Sequence, residues 1–116
     1  MNTTIVGTKF RGGAAIAALG RLETGTVLEL RREPLNQYDA NAVAVYFQGM
    51  HLGYVPAAVN AGVAAALDKG DMVRAVLTMQ AVVNGAAIAF PPRLRIDIQE
   101  DDLLGPGRDP NTGLSP

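Results

Sequence analysis

The 116-residue sequence contains no cysteine and no tryptophan, and it has one histidine and one serine. Without cysteine there is no disulfide, no thiolate nucleophile and no sulfur-ligated zinc, a composition suited to a reducing compartment. A single imidazole, His51, cannot supply the ligands of a histidine zinc site or a two-histidine acid–base pair. The serine, Ser115, lies next to the C-terminus in a Gly/Pro-rich stretch, which excludes a serine nucleophile with a positioned base. No apolar run reaches the roughly 18 residues of a membrane span, and residues 1–9 lack a basic patch followed by an apolar stretch. The expectation is a soluble, cytoplasmic protein that uses no membrane, metal or cofactor. It is also expected not to be an enzyme, because no residues suited to covalent, metal or general acid–base catalysis converge in the sequence.

Charge is scarce as well: 10 Lys+Arg stand against 11 Asp+Glu. Asp97, Glu100, Asp101, Asp102 and Asp109 concentrate acidity at the C-terminal end, which leaves the preceding body mildly basic. So small an excess implies few phosphate contacts and a shallow salt dependence for any nucleic-acid binding. With 48% hydrophobic residues the chain can build one modest core, and its length fits one domain. Residues 105–116 are rich in Gly and Pro and hold one large apolar residue, too little to offset the entropy of ordering them. The predicted organisation is therefore a barrel domain over residues 1–99 and an acidic, Gly/Pro-rich disordered tail over 100–116.

Apolar residues alternate in 93–98, 73–80 and 28–31, the period of half-buried strands, while 42–47 is apolar on both faces and suits a central strand. Asn84-Gly85 tolerates a type I′ turn, which predicts a hairpin of 73–83 with 86–98. Gln48-Gly49-Met50-His51 reads as a second tight turn, with His51 exposed in it. A helix is predicted over about 56–69, with Pro56 in its first turn, Val59, Val63 and Leu67 on one face and Gly70 as C-cap. A shorter helix is predicted near 14–19. The fold class is mainly β with helical insertions, a small OB-like antiparallel barrel.

Three clusters stand out: Gly7-Thr8-Lys9-Phe10, then Arg32-Glu33-Pro34 with Asn36, Tyr38-Asp39 and Asn41-Ala42-Val43, then Leu52-Gly53-Tyr54-Val55-Pro56. Their order and spacing resemble the HIRAN domain, the N-terminal DNA-binding module of helicase-like transcription factors, over roughly residues 4–98. In that family a Gly-x-Arg/Lys-aromatic strand opens the domain. The resemblance implies a stand-alone prokaryotic-type protein with an OB-like barrel that binds single-stranded DNA at its 3′ end. No phosphate-binding Gly-x-x-x-x-Gly-Lys-Ser/Thr loop and no RING cysteines are present, so the motor and ligase activities of larger relatives are not implied.

By the same resemblance Tyr38 stacks on a terminal base and Asp39 accepts a hydrogen bond from the 3′-hydroxyl. Phe10 stands at an aromatic position, Lys9 at an arginine position, and Phe90 near a third base-packing aromatic. Tyr54 replaces a histidine and Ala57 a phosphate-binding lysine of the vertebrate domain. The DNA-binding set is thus Lys9, Phe10, Tyr38, Asp39, Tyr54, Phe90 and Arg93, with Arg11, Arg31, Arg32 and Arg95 as candidate phosphate contacts.

Plainer roles are open at the same residues. Tyr38 also fits a loop aromatic over the barrel mouth, and Asp39 an Asx turn or cap. Asn36 and Asn41 read as loop-holding residues that bond the backbone. Arg32-Glu33 reads as a solvated ion pair, Phe10 serves equally as core or stacking surface, and Phe90 leans toward the core. The alternative function is a protein-interaction module or an accessory subunit of a separately encoded helicase or nuclease. A third is a DNA binder inhibited by Glu100-Asp101-Asp102 acting as a phosphate mimic.

Overall fold

Segments with alternating polarity fold as strands that pair antiparallel throughout. In the computed structural model, which describes residues 1–100, the strands are β1 (Asn2–Thr3), β2 (Val27–Arg32), β3 (Val43–Phe47), β4 (Met50–Tyr54), β5 (Met72–Met79), β6 (Val82–Asn84), β7 (Ala87–Phe90) and β8 (Arg93–Gln99). The helices are α1 (Gly13–Arg21) and α2 (Asn60–Lys69). The predicted disordered tail, apart from Glu100, lies outside the described residues. No helix among them is long and apolar enough to cross a membrane.

Six strands form one sheet in the order β1-β8-β5-β2-β3-β4, and β6–β7 form a separate ribbon. The sheet curls because one short segment joins its two edges. Asn2 and Thr3 pair with Arg95 and Leu94 of β8, whereas three residues on Val6 exchanges both backbone hydrogen bonds with Tyr54 of β4, each 2.9 Å. The apolar faces of the strands therefore turn inward onto one core, in which Leu52, Leu77, Leu94 and Val45 are fully covered. Helix α1 adds Ile16 and Leu19 from one face and α2 adds Val63, so both helices lie on the sheet by an apolar stripe.

Five local expectations need correction. The arms of the predicted 73–98 hairpin do run antiparallel, with Met72 opposite Gln99 and Met79 opposite Arg93, but the pairing stops before residues 80–81 and 91–92. Pro91 and Pro92 have no N–H to continue a ladder. The ribbon beyond turns through Gly85-Ala86, flanked by the pair Asn84 and Ala87, and only Gly85 has a positive φ, at 64°. A type I′ turn needs positive φ at both central residues, so this turn is of another type.

Helix α2 starts at Asn60, later than predicted; Pro56 instead closes a single turn through Val59 N–H to its carbonyl at 3.0 Å. His51 is not in a turn but in β4, after the Gln48-Gly49 turn. Residues 8–10 form a 3-10 turn instead of an opening strand, because Gly7 at φ 76° reverses the chain.

The edge closure depends on Gly53. Its φ is +151°, and a Cβ there would overlap the Val6 carbonyl and stand 2.7 Å from Ile5 Cγ2. Gly62, inside α2, has no positive φ, and an added methyl would meet nothing within 4 Å. Gly53→Ala is expected to destabilise the fold by about 2–4 kcal/mol through clash and strain, while Gly62→Ala should stabilise it by about 0.4–1 kcal/mol. Urea unfolding followed by far-UV circular dichroism measures both; equal midpoints for the two variants would contradict this account of the closure.

Candidate functional site

The loop from Glu33 to Ala42 joins β2 to β3 and is held by its own side chains. Its ends are tied by Glu33 N–H to the Ala42 carbonyl at 3.0 Å. Within it, Asn36 Oδ1 accepts from the backbone N–H of Tyr38 (2.9 Å) and Asp39 (3.1 Å), and Asp39 Oδ1 accepts from Asn41 N–H at 2.8 Å. These Asx-type bonds satisfy backbone that the sheet cannot reach. With the backbone fixed, Tyr38 projects outward and is 89% exposed.

Two bonds anchor the loop to the body. Glu33 Oε1 accepts from Asn36 Nδ2 at 3.0 Å and from the Tyr54 hydroxyl at 2.9 Å. Asn60, buried at the start of α2, donates from Nδ2 to Asp39 Oδ2 at 2.8 Å. The result is a groove of about 630 Å³ bordered by Phe10, Arg11, Tyr38, Asp39, Tyr54 and Asn60, with Ala57 at its margin. Phe10, 73% exposed, lies on the 3-10 turn and so on the strap that closes the sheet.

The structure brings Phe10, Tyr38, Asp39, Tyr54 and Arg11 to this groove, with Asn36 in its wall. Lys9 lies beyond Phe10, its ammonium 5.1 Å from that ring, in an adjoining groove of about 420 Å³ toward β7. Neither Lys9 nor Arg11 has a carboxylate partner among the described residues. Phe90, Arg93, Arg31, Arg32 and Arg95 do not border the groove. Phe90 is 66% exposed on the ribbon, so it is not core.

Arg31 pairs with Glu29 at 2.7 Å and covers the Tyr46 ring. Arg32 pairs with Asp68 at 3.0 Å, and Arg95 with Asp97 at 3.0 Å. The expected Arg32–Glu33 ion pair is absent among the described residues, because Arg32, the last residue of β2, turns to Asp68 while Glu33, the first of the loop, turns to Asn36 and Tyr54. Asn41 acts through its backbone N–H. Sequence reasoning passed over Glu33 as the hub and missed Asn60 entirely; the available signal was a lone amide in the apolar stretch 57–67.

Among the described residues no group of three or more metal-ligating side chains converges. The groove carboxylates take their hydrogen bonds from neutral donors, with cationic side chains acting at longer range. The Asn60 amide, then the Asn41 N–H, holds Asp39 below the usual carboxylate range. Burial pushes Glu33 up, but hydrogen bonds from Asn36 and Tyr54 and the nearby His51 and Arg11 outweigh it and leave it lowered.

His51 stacks on Tyr46 with centroids 4.8 Å apart and meets Tyr54 edge-on at 4.9 Å. An extra residue in β4 opposite the Val45–Tyr46 step produces this arrangement. His51 Nε2 lies 3.0 Å from the Gly53 carbonyl, which can only accept, so Nε2 carries the hydrogen and Nδ1 accepts from Arg11 Nη1 at 3.2 Å. Burial, then the Arg11 charge, lowers the His51 pKa, although the Gly53 carbonyl and Glu33 pull the other way.

The folded chain therefore binds this proton less readily than the unfolded chain. Stability is retained above the unfolded value of about 6.5 and falls as the pH drops through it. Thermal unfolding between pH 7.5 and 5.5 should show a loss of melting temperature on acidification that is reduced in His51→Gln. Parallel pH profiles for the two proteins would exclude His51 as the source.

A family model described as the HIRAN domain matches residues 1–98. A solved structure of a protein from Lactobacillus plantarum is similar, with 28% identity and a TM-score of 0.62, covering 83% of this chain and 91% of that one. The HIRAN domain of human HLTF shares the fold at 21% identity, with a TM-score of 0.65 and coverage of 87% of this chain and 76% of that one. No curated protein matches the chain. With the family match spanning nearly all the described residues and the fold shared, the chain belongs to the HIRAN domain family of DNA-binding modules.

Proposed function

We propose that this HIRAN domain binds single-stranded DNA at free 3′ ends and acts by binding alone. Phe10 and Tyr38 stack on terminal bases, Asp39 accepts the 3′-hydroxyl, and Lys9 and Arg11 meet backbone phosphates. The observation that carries this reading is the meeting of two largely exposed aromatic rings and a carboxylate on one groove. Exposed aromatic faces offer a base-stacking surface without sequence preference. A carboxylate held ionised accepts from a hydroxyl and repels a phosphate in the same place.

Phe90 on the neighbouring ribbon extends the stacking surface, and Arg93 stands at the root of β8 beyond it. The arginines with carboxylate partners, Arg31, Arg32 and Arg95, take a lesser part because a phosphate would have to displace an existing ion pair. In this reading residues 1–99 are the binding module, residues 100–116 an acidic tail, and the cytoplasm the working compartment.

Fluorescence anisotropy tests it with short labelled strands ending in a 3′-hydroxyl, a 3′-phosphate or a buried 3′ end. The hydroxyl strand should bind best, and Asp39→Asn should erase its advantage over the phosphate strand. Tyr38→Ala should weaken binding roughly 5- to 150-fold, the equivalent of about 1–3 kcal/mol per stacked base. With about two phosphates neutralised, log K should fall with log salt at a slope near −1.4. Equal binding to all three ends would sink end recognition; binding to none would favour the protein-interaction reading, with a separately encoded helicase or nuclease as the partner to seek.

A further inference from the structure

Asn60 is 3% exposed, a buried amide in an otherwise apolar run, and an unbonded amide there would be costly. Local helix chemistry does not account for it. Asn60 is the first residue of α2, while the capping position belongs to Val59, and no side chain caps that end. Its amide hydrogen goes across the groove wall to Asp39 Oδ2 at 2.8 Å, a contact between residues 21 apart in the chain. Both residues border the same groove.

We propose that Asn60 is a positioning residue that fixes the Asp39 carboxylate as a hydroxyl acceptor and thereby sets preference for a 3′-hydroxyl over a 3′-phosphate end. The inference rests on the proposed end recognition and adds the residue that controls its selectivity. The geometry behind it is a two-point grip. Asn41 N–H holds Oδ1 and Asn60 Nδ2 holds Oδ2, so rotation of the carboxylate plane is stopped from both sides. Each carboxylate oxygen has about two acceptor positions, which leaves one on each for an incoming hydroxyl.

Only the Asn60 half of the grip comes from outside the loop. Helix α2 is seated on the core by Val63, Ala64 and Ala66, so the donor is placed by helix packing and not by the loop. An N–H donor also bonds the ionised carboxylate in preference to the neutral acid, which keeps on Asp39 the charge that repels a terminal phosphate. The groups that face Asp39 are thus Asn60 from α2, Asn41 from the loop and, at longer range, the Arg32 charge from β2.

The experiment is competition anisotropy with strands ending in 3′-hydroxyl, 3′-phosphate or a buried 3′ end, across pH 3.5–7.5, on the full chain. It compares the natural protein with Asn60→Ala, with Asn60→Leu, which fills the volume that alanine leaves, and with Asp39→Asn. Circular dichroism identifies the folded variants. In either folded Asn60 variant the hydroxyl-over-phosphate ratio should fall at least about fivefold. Affinity for the buried end should stay within about twofold, and the pH at which the preference disappears should move upward, a shift that simple loosening of α2 would not produce.

If the Asn60 variants keep the ratio and its pH profile while Asp39→Asn loses the ratio, the positioning role is overturned and end recognition stands. If Asp39→Asn keeps the ratio, end recognition itself fails and the role of Asn60 fails with it.

Discussion

The structure depends on one short crossing. Between Thr3 and Val6 the chain passes from one edge of the sheet to the other, and the paired bonds of Val6 with Tyr54 close the curl. That crossing requires a residue with no Cβ at position 53, where the strap lies directly on β4. Everything at the groove follows from it. The strap delivers Phe10 and Arg11 opposite the Glu33–Ala42 loop, and the irregular pairing of β4 turns Tyr54 toward Glu33. A closed sheet also leaves few open edges for unwanted pairing.

Charge at the groove is handled differently from charge elsewhere on the surface. Arg31, Arg32 and Arg95 on the strands are matched with carboxylates, and exposed pairs such as those of Arg31 and Arg95 contribute little to stability. Glu33 and Asp39 instead take their hydrogen bonds from neutral groups: two amide side chains, a phenol and a backbone N–H. Neutral donors orient a carboxylate without cancelling it. The field of Asp39 thus remains available to a ligand, whereas an arginine in the place of Asn60 would have spent it. Arg11 in this groove and Lys9 in the adjoining one likewise form no ion pair with a carboxylate among the described residues.

The sequence made legible those features that local chemistry dictates. Period-two alternation located β2, β5 and β8, unbroken apolarity marked β3 as central, and Gly70 ended α2 as expected. The motif around Tyr38-Asp39 led to the family directly. What escaped notice was decided by distant contacts. The two-residue strand β1 has no apolar pattern and exists because β8 offers an edge. Val59, although on the predicted apolar face, lies before α2 because the turn from Pro56 uses it first. His51 looked like turn filler, yet β4 begins at Met50 and lays its ring on Tyr46. Asn60 meets Asp39 across 21 residues of chain, and no spacing rule links them.

A groove with so few cations poses a physical question for any polyanion it receives. Duplex and continuous single strands are held mainly by phosphate neutralisation, for which this surface is poorly supplied. A strand terminus is different. Its last base has one uncovered face, and a free 3′-hydroxyl removes a phosphate where an interior nucleotide would carry one. The favourable contribution there comes from ring stacking, which needs no countercharge, and an ionised carboxylate is an asset at such an end while being a penalty along a continuous backbone. Ala57, which lines the groove, adds no charge to it. Under the proposed end recognition, weak electrostatic attraction would lower binding to every strand but lower it more at interior sites, so a charge-poor groove would trade general affinity for discrimination in favour of an end.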